Sequence, residues 1–123
     1  MRKMVLVVVV LSASFASPAA WADHKPNSYC SESGDVCVST RERNDVNRLN
    51  IALAAKYFSR YKLCVVAPDD SRECIRRRIT DQGRTFGDSV NWANHFPDKG
   101  EGDYKAIWRQ GGNRLGKVLG FHV

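Results

Sequence analysis

The chain has 123 residues, 43% of them hydrophobic, with four cysteines and a formal net charge of +6. One domain is expected at that length, and its core is small enough that exported domains of this size commonly add cross-links. The basic excess is moderate, which suits contact with anionic surfaces and argues against a dedicated nucleic-acid groove.

Arg2 and Lys3 precede an apolar run from Met4 to Leu11 that continues weakly through Ala13 and Phe15. Ala20-Trp21-Ala22 then offers the small-x-small pattern of a signal-peptidase site, so residues 1–22 read as a signal peptide cleaved after Ala22. A retained anchor would need roughly 20 apolar residues, more than this run supplies. No cysteine closes the run to carry a lipid. The expected product is secreted and extracellular, without a stable membrane span. Residues 23–28 are polar, include Pro26, and read as a flexible lead-in to one domain over 29–123.

From Tyr29 onward, short apolar stretches with a period of two alternate with turn residues, as half-buried strands require. Val36 and Val38 flank Cys37, after which Thr40 to Asn47 reads as a charged connection. Leu49, Leu53, Tyr57 and Tyr61 recur every four residues, and Asp45 could cap a helix there. Leu49, Ile51 and Leu53 also alternate as a strand. The density of strands elsewhere favours that second reading, with a corner around Lys56 to Arg60. Leu63, Val65 and Ala67 form the next strand, and Pro68-Asp69-Asp70 turns it towards Ile75 and Ile79. Val90 with Trp92, then Tyr104, Ala106 and Trp108, supply further strands. Gly111-Gly112-Asn113 turns the chain into Leu119, Phe121 and Val123.

Four cysteines permit three pairings. Cys30 and Cys37 are symmetric about Ser33-Gly34, however, and Cys64 and Cys74 about the Pro68-Asp69-Asp70 turn. Directly opposed residues of a non-hydrogen-bonded antiparallel pair lie about 4.5 Å apart at Cα, within reach of a disulfide. Two hairpin-local disulfides are therefore expected. Zinc is the rival use of these thiols, and neither spacing is that of a zinc knuckle.

Arg72, Arg76 and Arg78 share a strand face with Cys74, whereas Arg77 falls on the opposite face between Ile75 and Ile79 and must snorkel or sit near an edge. The first three are candidate anion-binding residues for a cell-wall polymer, an acidic polysaccharide or lipid headgroups. The plainer and commoner assignment is a solvated face that keeps an edge strand from pairing with neighbours. Tyr57, Phe58 and Tyr61 could form a ligand platform, although such aromatics more often fill a core, as Trp92 and Trp108 are expected to.

The glycine-rich stretch from Phe96 to Tyr104 places a tyrosine at the opening of a core strand. That is the arrangement of a tyrosine corner, which makes Tyr104 a structural residue of an immunoglobulin-like sandwich. Ala106 then occupies the place of the second inter-sheet cysteine. Five blocks carry a wider resemblance: Tyr29-Cys30-Ser31 with Ser33 to Cys37, Arg60 to Val65, Ser89-Val90-Asn91-Trp92, His95-Phe96-Pro97 to Tyr104, and Arg114-Leu115-Gly116. Together they resemble small secreted actinobacterial proteins of unknown function. The resemblance implies an immunoglobulin-like or fibronectin-like β-sandwich and no catalytic residues. The fold class is accordingly all-β, an immunoglobulin-like antiparallel sandwich.

Reaction centres are not evident. His24, His95 and His122 have no cysteine, serine or carboxylate at motif spacing. Asp98, Glu101 and Asp103 could approach calcium, but not with EF-hand spacing. No cofactor is implied. The sequence thus reads as a secreted non-catalytic binding or structural module, its partner an anionic envelope polymer or another secreted protein. A small-ligand carrier or inhibitor is the alternative, and a hydrolase ranks last.

Overall fold

A computed structural model describes residues 25–123. The signal peptide assigned to residues 1–22 lies outside the described residues, as does His24. Nine strands and one helical turn follow in chain order. They are β1 (Ser28–Cys30), β2 (Val36–Arg43), β3 (Val46–Leu53), β4 (Arg60–Val66), β5 (Arg72–Arg78), β6 (Thr80–Asp81), β7 (Phe86–Asn91), α1 (Trp92–His95), β8 (Asp103–Gln110) and β9 (Asn113–His122).

The strands form two antiparallel sheets, ordered β1-β2-β3-β7-β6 and β5-β4-β8-β9. Lettering β2 to β9 as A, B, C, C′, D, E, F and G turns these orders into ABED, with β1 added outside A, and C′CFG. This is the immunoglobulin arrangement. The chain changes sheet at Ile79, a buried residue between Arg78 of β5 and Thr80 of β6. Its N–H donates to the Ser59 carbonyl at 2.9 Å, so the crossing leaves that buried donor satisfied.

The core is what period-two patterning dictates. Val38, Leu49, Ile51, Leu53 and Val90 face inward from one sheet, and Leu63, Val65, Ala106, Trp108 and Leu119 from the other. Leu49, Ile51 and Leu53 lie in β3, which settles the helix-or-strand ambiguity in favour of a strand. Between β3 and β4, residues 54–59 make the corner expected there.

Two local expectations fail. Thr40 to Asn47 is not a charged connection: β2 and β3 run on through it, and only Asn44 and Asp45, at φ of 51° and 61°, turn the chain. Two successive positive-φ residues make the hairpin turn whose twist matches its strands, and Asn and Asp are the non-glycine residues that tolerate it best. The charges of Arg41, Glu42 and Arg43 reflect strand ends standing in solvent. The strand through Val90 also stops early, at Asn91. The Asn91 Oδ1 accepts from the Ala93 N–H at 3.1 Å and caps the single turn α1. Trp92 and Phe96, four residues apart, are thereby both buried. Trp92 meets the Tyr104 ring edge-on at 5.2 Å.

Ser28, placed by sequence in the lead-in, is the first residue of β1. The lead-in closes one seam of the sandwich: the Gly120 N–H donates to the Pro26 carbonyl at 2.8 Å, and the Thr40 N–H to the Asn27 carbonyl at 2.8 Å. Thr40, the buried polar residue of β2, also donates its hydroxyl to the Gly120 carbonyl at 2.8 Å.

At the E–F corner, the Tyr104 hydroxyl donates to the Gly100 carbonyl at 2.7 Å and accepts from the Lys99 N–H at 3.0 Å. The Tyr104→Phe variant keeps the ring in the core but strands both backbone groups. It should lose about 1–2 kcal/mol, read as a lower urea midpoint with an unchanged m-value. An unshifted midpoint would show that water replaces the phenol at no cost.

Candidate functional site

Both disulfides form as the hairpin symmetry predicts. Cys30 and Cys37 are cross-strand partners with Cα atoms 4.1 Å apart, and Cys64 and Cys74 likewise at 4.0 Å. Their presence is consistent with an extracellular protein. The second disulfide lies on the outer face of C′CFG, where Cys64 also opposes Ile107 and both residues are buried.

Cross-strand register fixes the rest of that outer face as rows running across the strands. One row is Arg72, Val66 and Lys105; the next is Cys74, Cys64 and Ile107. Beyond the disulfide come Arg76, Lys62 and Arg109, continued on β9 by Arg114, and then Arg78 with Arg60. Adjacent strands are about 4.8 Å apart and successive same-face residues about 7 Å apart. Cations therefore crowd together at the end of the sheet beside the Gly111-Gly112 turn. There they line a concavity of about 450 Å³ that includes Arg60, Lys62, Arg76, Arg78 and Arg109.

The three arginines proposed from the sequence are thus divided. Arg76 and Arg78 enter the concavity, while Arg72 stands on the far side of the disulfide row. Sequence reasoning missed Arg60, Lys62 and Arg109. Arg77 also lines the concavity and is paired with Asp88; among the described residues none of the other five lining cations is in an ion pair, and no position in these rows is acidic. Asp103, an exposed carboxylate at the other end of β8, lies 3.0 Å from the His122 Nδ1. Arg109 is only partly exposed, and its Nε is buried without a hydrogen-bond partner among the described residues. An unpaired, partly desolvated guanidinium is costly.

Arg77, on the inner face of the same strand, behaves differently. Its Nε and a terminal nitrogen donate to the two carboxylate oxygens of Asp88 at 2.7 and 3.0 Å. The Tyr61 hydroxyl donates to the same carboxylate at 2.8 Å. Asp88 faces inward from β7, opposite Ile51. The triad therefore ties C and C′ to strand E across the sandwich. Burial first, and then the Asp88 charge, push the Tyr61 phenol well above its ordinary value, so it remains a donor. The hydrogen bond to Asp88 also raises Arg77, which stays charged.

The remaining candidates do not converge. His95 ends α1 and is exposed. Asp98 caps the Gly100 N–H at 2.8 Å, separately from the Asp103–His122 contact. Among the described residues no group of three or more His, Cys, Asp or Glu side chains is placed to hold a metal ion. Asp69 accepts the Ser71 N–H and hydroxyl, which hold its carboxyl below the usual range. Of the aromatics weighed as a platform, Tyr61 is buried, Phe58 packs against the core, and Tyr57 stands exposed. Trp92 and Trp108 are core residues. No helix among the described residues is long and apolar enough to cross a membrane. No family, curated protein or solved structure matches the chain.

Proposed function

We propose that this protein is a secreted, non-catalytic module that binds an anionic polymer of the cell envelope or its surroundings through the C′CFG face. The reading rests on one observation: beside the paired Arg77, five cations without ion-pair partners among the described residues line a single concavity. A solvated face that only guards an edge needs like charges on the edge strand, β5. Here three of the five, Arg60, Lys62 and Arg109, come from the two interior strands β4 and β8. Holding them side by side against their repulsion favours a bound anion over simple solvation.

The test is titration of the mature domain with heparin and with long-chain polyphosphate at stepped NaCl concentrations. Affinity should fall as salt rises. The paired Arg76→Glu and Arg78→Glu variant, at exposed sites, should fold normally and bind at least roughly tenfold more weakly. Full retention of binding by that variant would remove the face from consideration.

A further inference from the structure

We infer that the concavity selects tetrahedral oxyanions, the phosphate or sulfate groups of a polymer, over carboxylates, and that Arg109 is the residue that sets this preference. The inference rests on the polyanion-binding reading and names its ligand chemistry. A carboxylate presents two oxygens in one plane and is satisfied by a single guanidinium fork. A phosphate or sulfate group presents oxygens in three directions, so cations arriving from several strands can share it. The site has that form. Arg76 approaches from β5, Lys62 from β4 and Arg109 from β8, neighbours in one row, with Arg78 and Arg60 one row further along.

Arg109 is singled out within the row. It comes from an interior strand, it alone of the five is half-buried where the others are exposed, and its Nε lacks a partner among the described residues. The four exposed cations are solvated, so they attract any polyanion in proportion to its charge. Partial burial restrains the Arg109 guanidinium, so it loses less freedom when an oxyanion docks, and beside Arg76 and Lys62 it meets the third direction that a tetrahedral group offers and a planar carboxylate lacks. Lysine at the same place would preserve the charge and abolish the fork.

The experiment compares wild type and Arg109→Lys for binding to heparin, long-chain polyphosphate and polygalacturonate at matched ionic strength. Circular dichroism and thermal unfolding confirm the fold of the variant. Wild type should prefer heparin and polyphosphate to polygalacturonate by on the order of tenfold, the worth of a charge-assisted hydrogen bond, and the variant should lose that preference while still binding all three. Heparin alone being preferred would identify sulfate as the source, and polyphosphate alone would identify phosphate. Equal wild-type binding to all three polymers, or a preference that survives in Arg109→Lys, would overturn the selectivity and leave the polyanion reading in place. Failure of wild type to bind any of them would overturn both. If Arg109→Lys unfolds, Arg109→Gln carries the same comparison.

Discussion

Arg77→Ala should destabilise the domain by about 3 kcal/mol, the lower end for breaking a buried ion pair, because the Arg77 side chain is 29% exposed. The cost comes from what remains behind. Asp88 points into the sandwich with a side chain only 10% exposed, and without the guanidinium its charge keeps, among the described residues, only the Tyr61 hydroxyl as a side-chain partner. The paired Arg77→Met and Asp88→Leu variant removes both charges and keeps apolar bulk between the sheets, so it should fold with close to wild-type stability. Guanidinium denaturation of the three proteins separates the alternatives. A loss below about 1 kcal/mol in Arg77→Ala would class the contact with surface ion pairs.

The same residue shows where sequence reading reaches and where it stops. Parity along β5 places Arg77 inside and its neighbours outside, because period two is a local property of any strand. Its partner Asp88 is eleven residues away on the other sheet, and only the packing of E against C and C′ brings them together. The basic face divides in the same way. Once Cys64 faces Cys74, counting outward sets Lys62 against Arg76 and Arg60 against Arg78, so four of the five unpaired cations of the concavity were already implied by the disulfide. Arg109 was not, since no covalent link or short turn fixes the register of β8 on β4. The broad fold was more accessible. Hairpin-symmetric cysteines, alternating apolar residues and a tyrosine after a glycine-rich corner all point to one architecture. The misreadings lay at strand ends, where solvated charges obscure the extension of β2 and β3 and a capping asparagine cuts β7 short.

Removing the Cys64–Cys74 disulfide by alanine substitution should cost about 3–4 kcal/mol, against about 1–2 kcal/mol for the Cys30–Cys37 disulfide. Loop length does not produce this difference, because sequence separations of 10 and 7 give closure entropies worth about 2.8 and 2.5 kcal/mol. Position produces it. Cys30 and Cys37 clip a three-residue edge strand onto A, and that strand can detach while the sandwich stays intact. Cys64 is wholly buried and joins interior strand C to C′, so its loss removes sulfur packing as well as the cross-link. It also loosens the strand that carries Arg76 and Arg78 into the concavity. Polyanion affinity should therefore fall in the Cys64→Ala, Cys74→Ala protein, under conditions where it remains folded, and should hold in the Cys30→Ala, Cys37→Ala protein. Denaturant unfolding and heparin titration of the two double variants measure both effects. The opposite ranking in either measurement would mean that C′ is held by the Arg77–Asp88–Tyr61 triad instead of by sulfur.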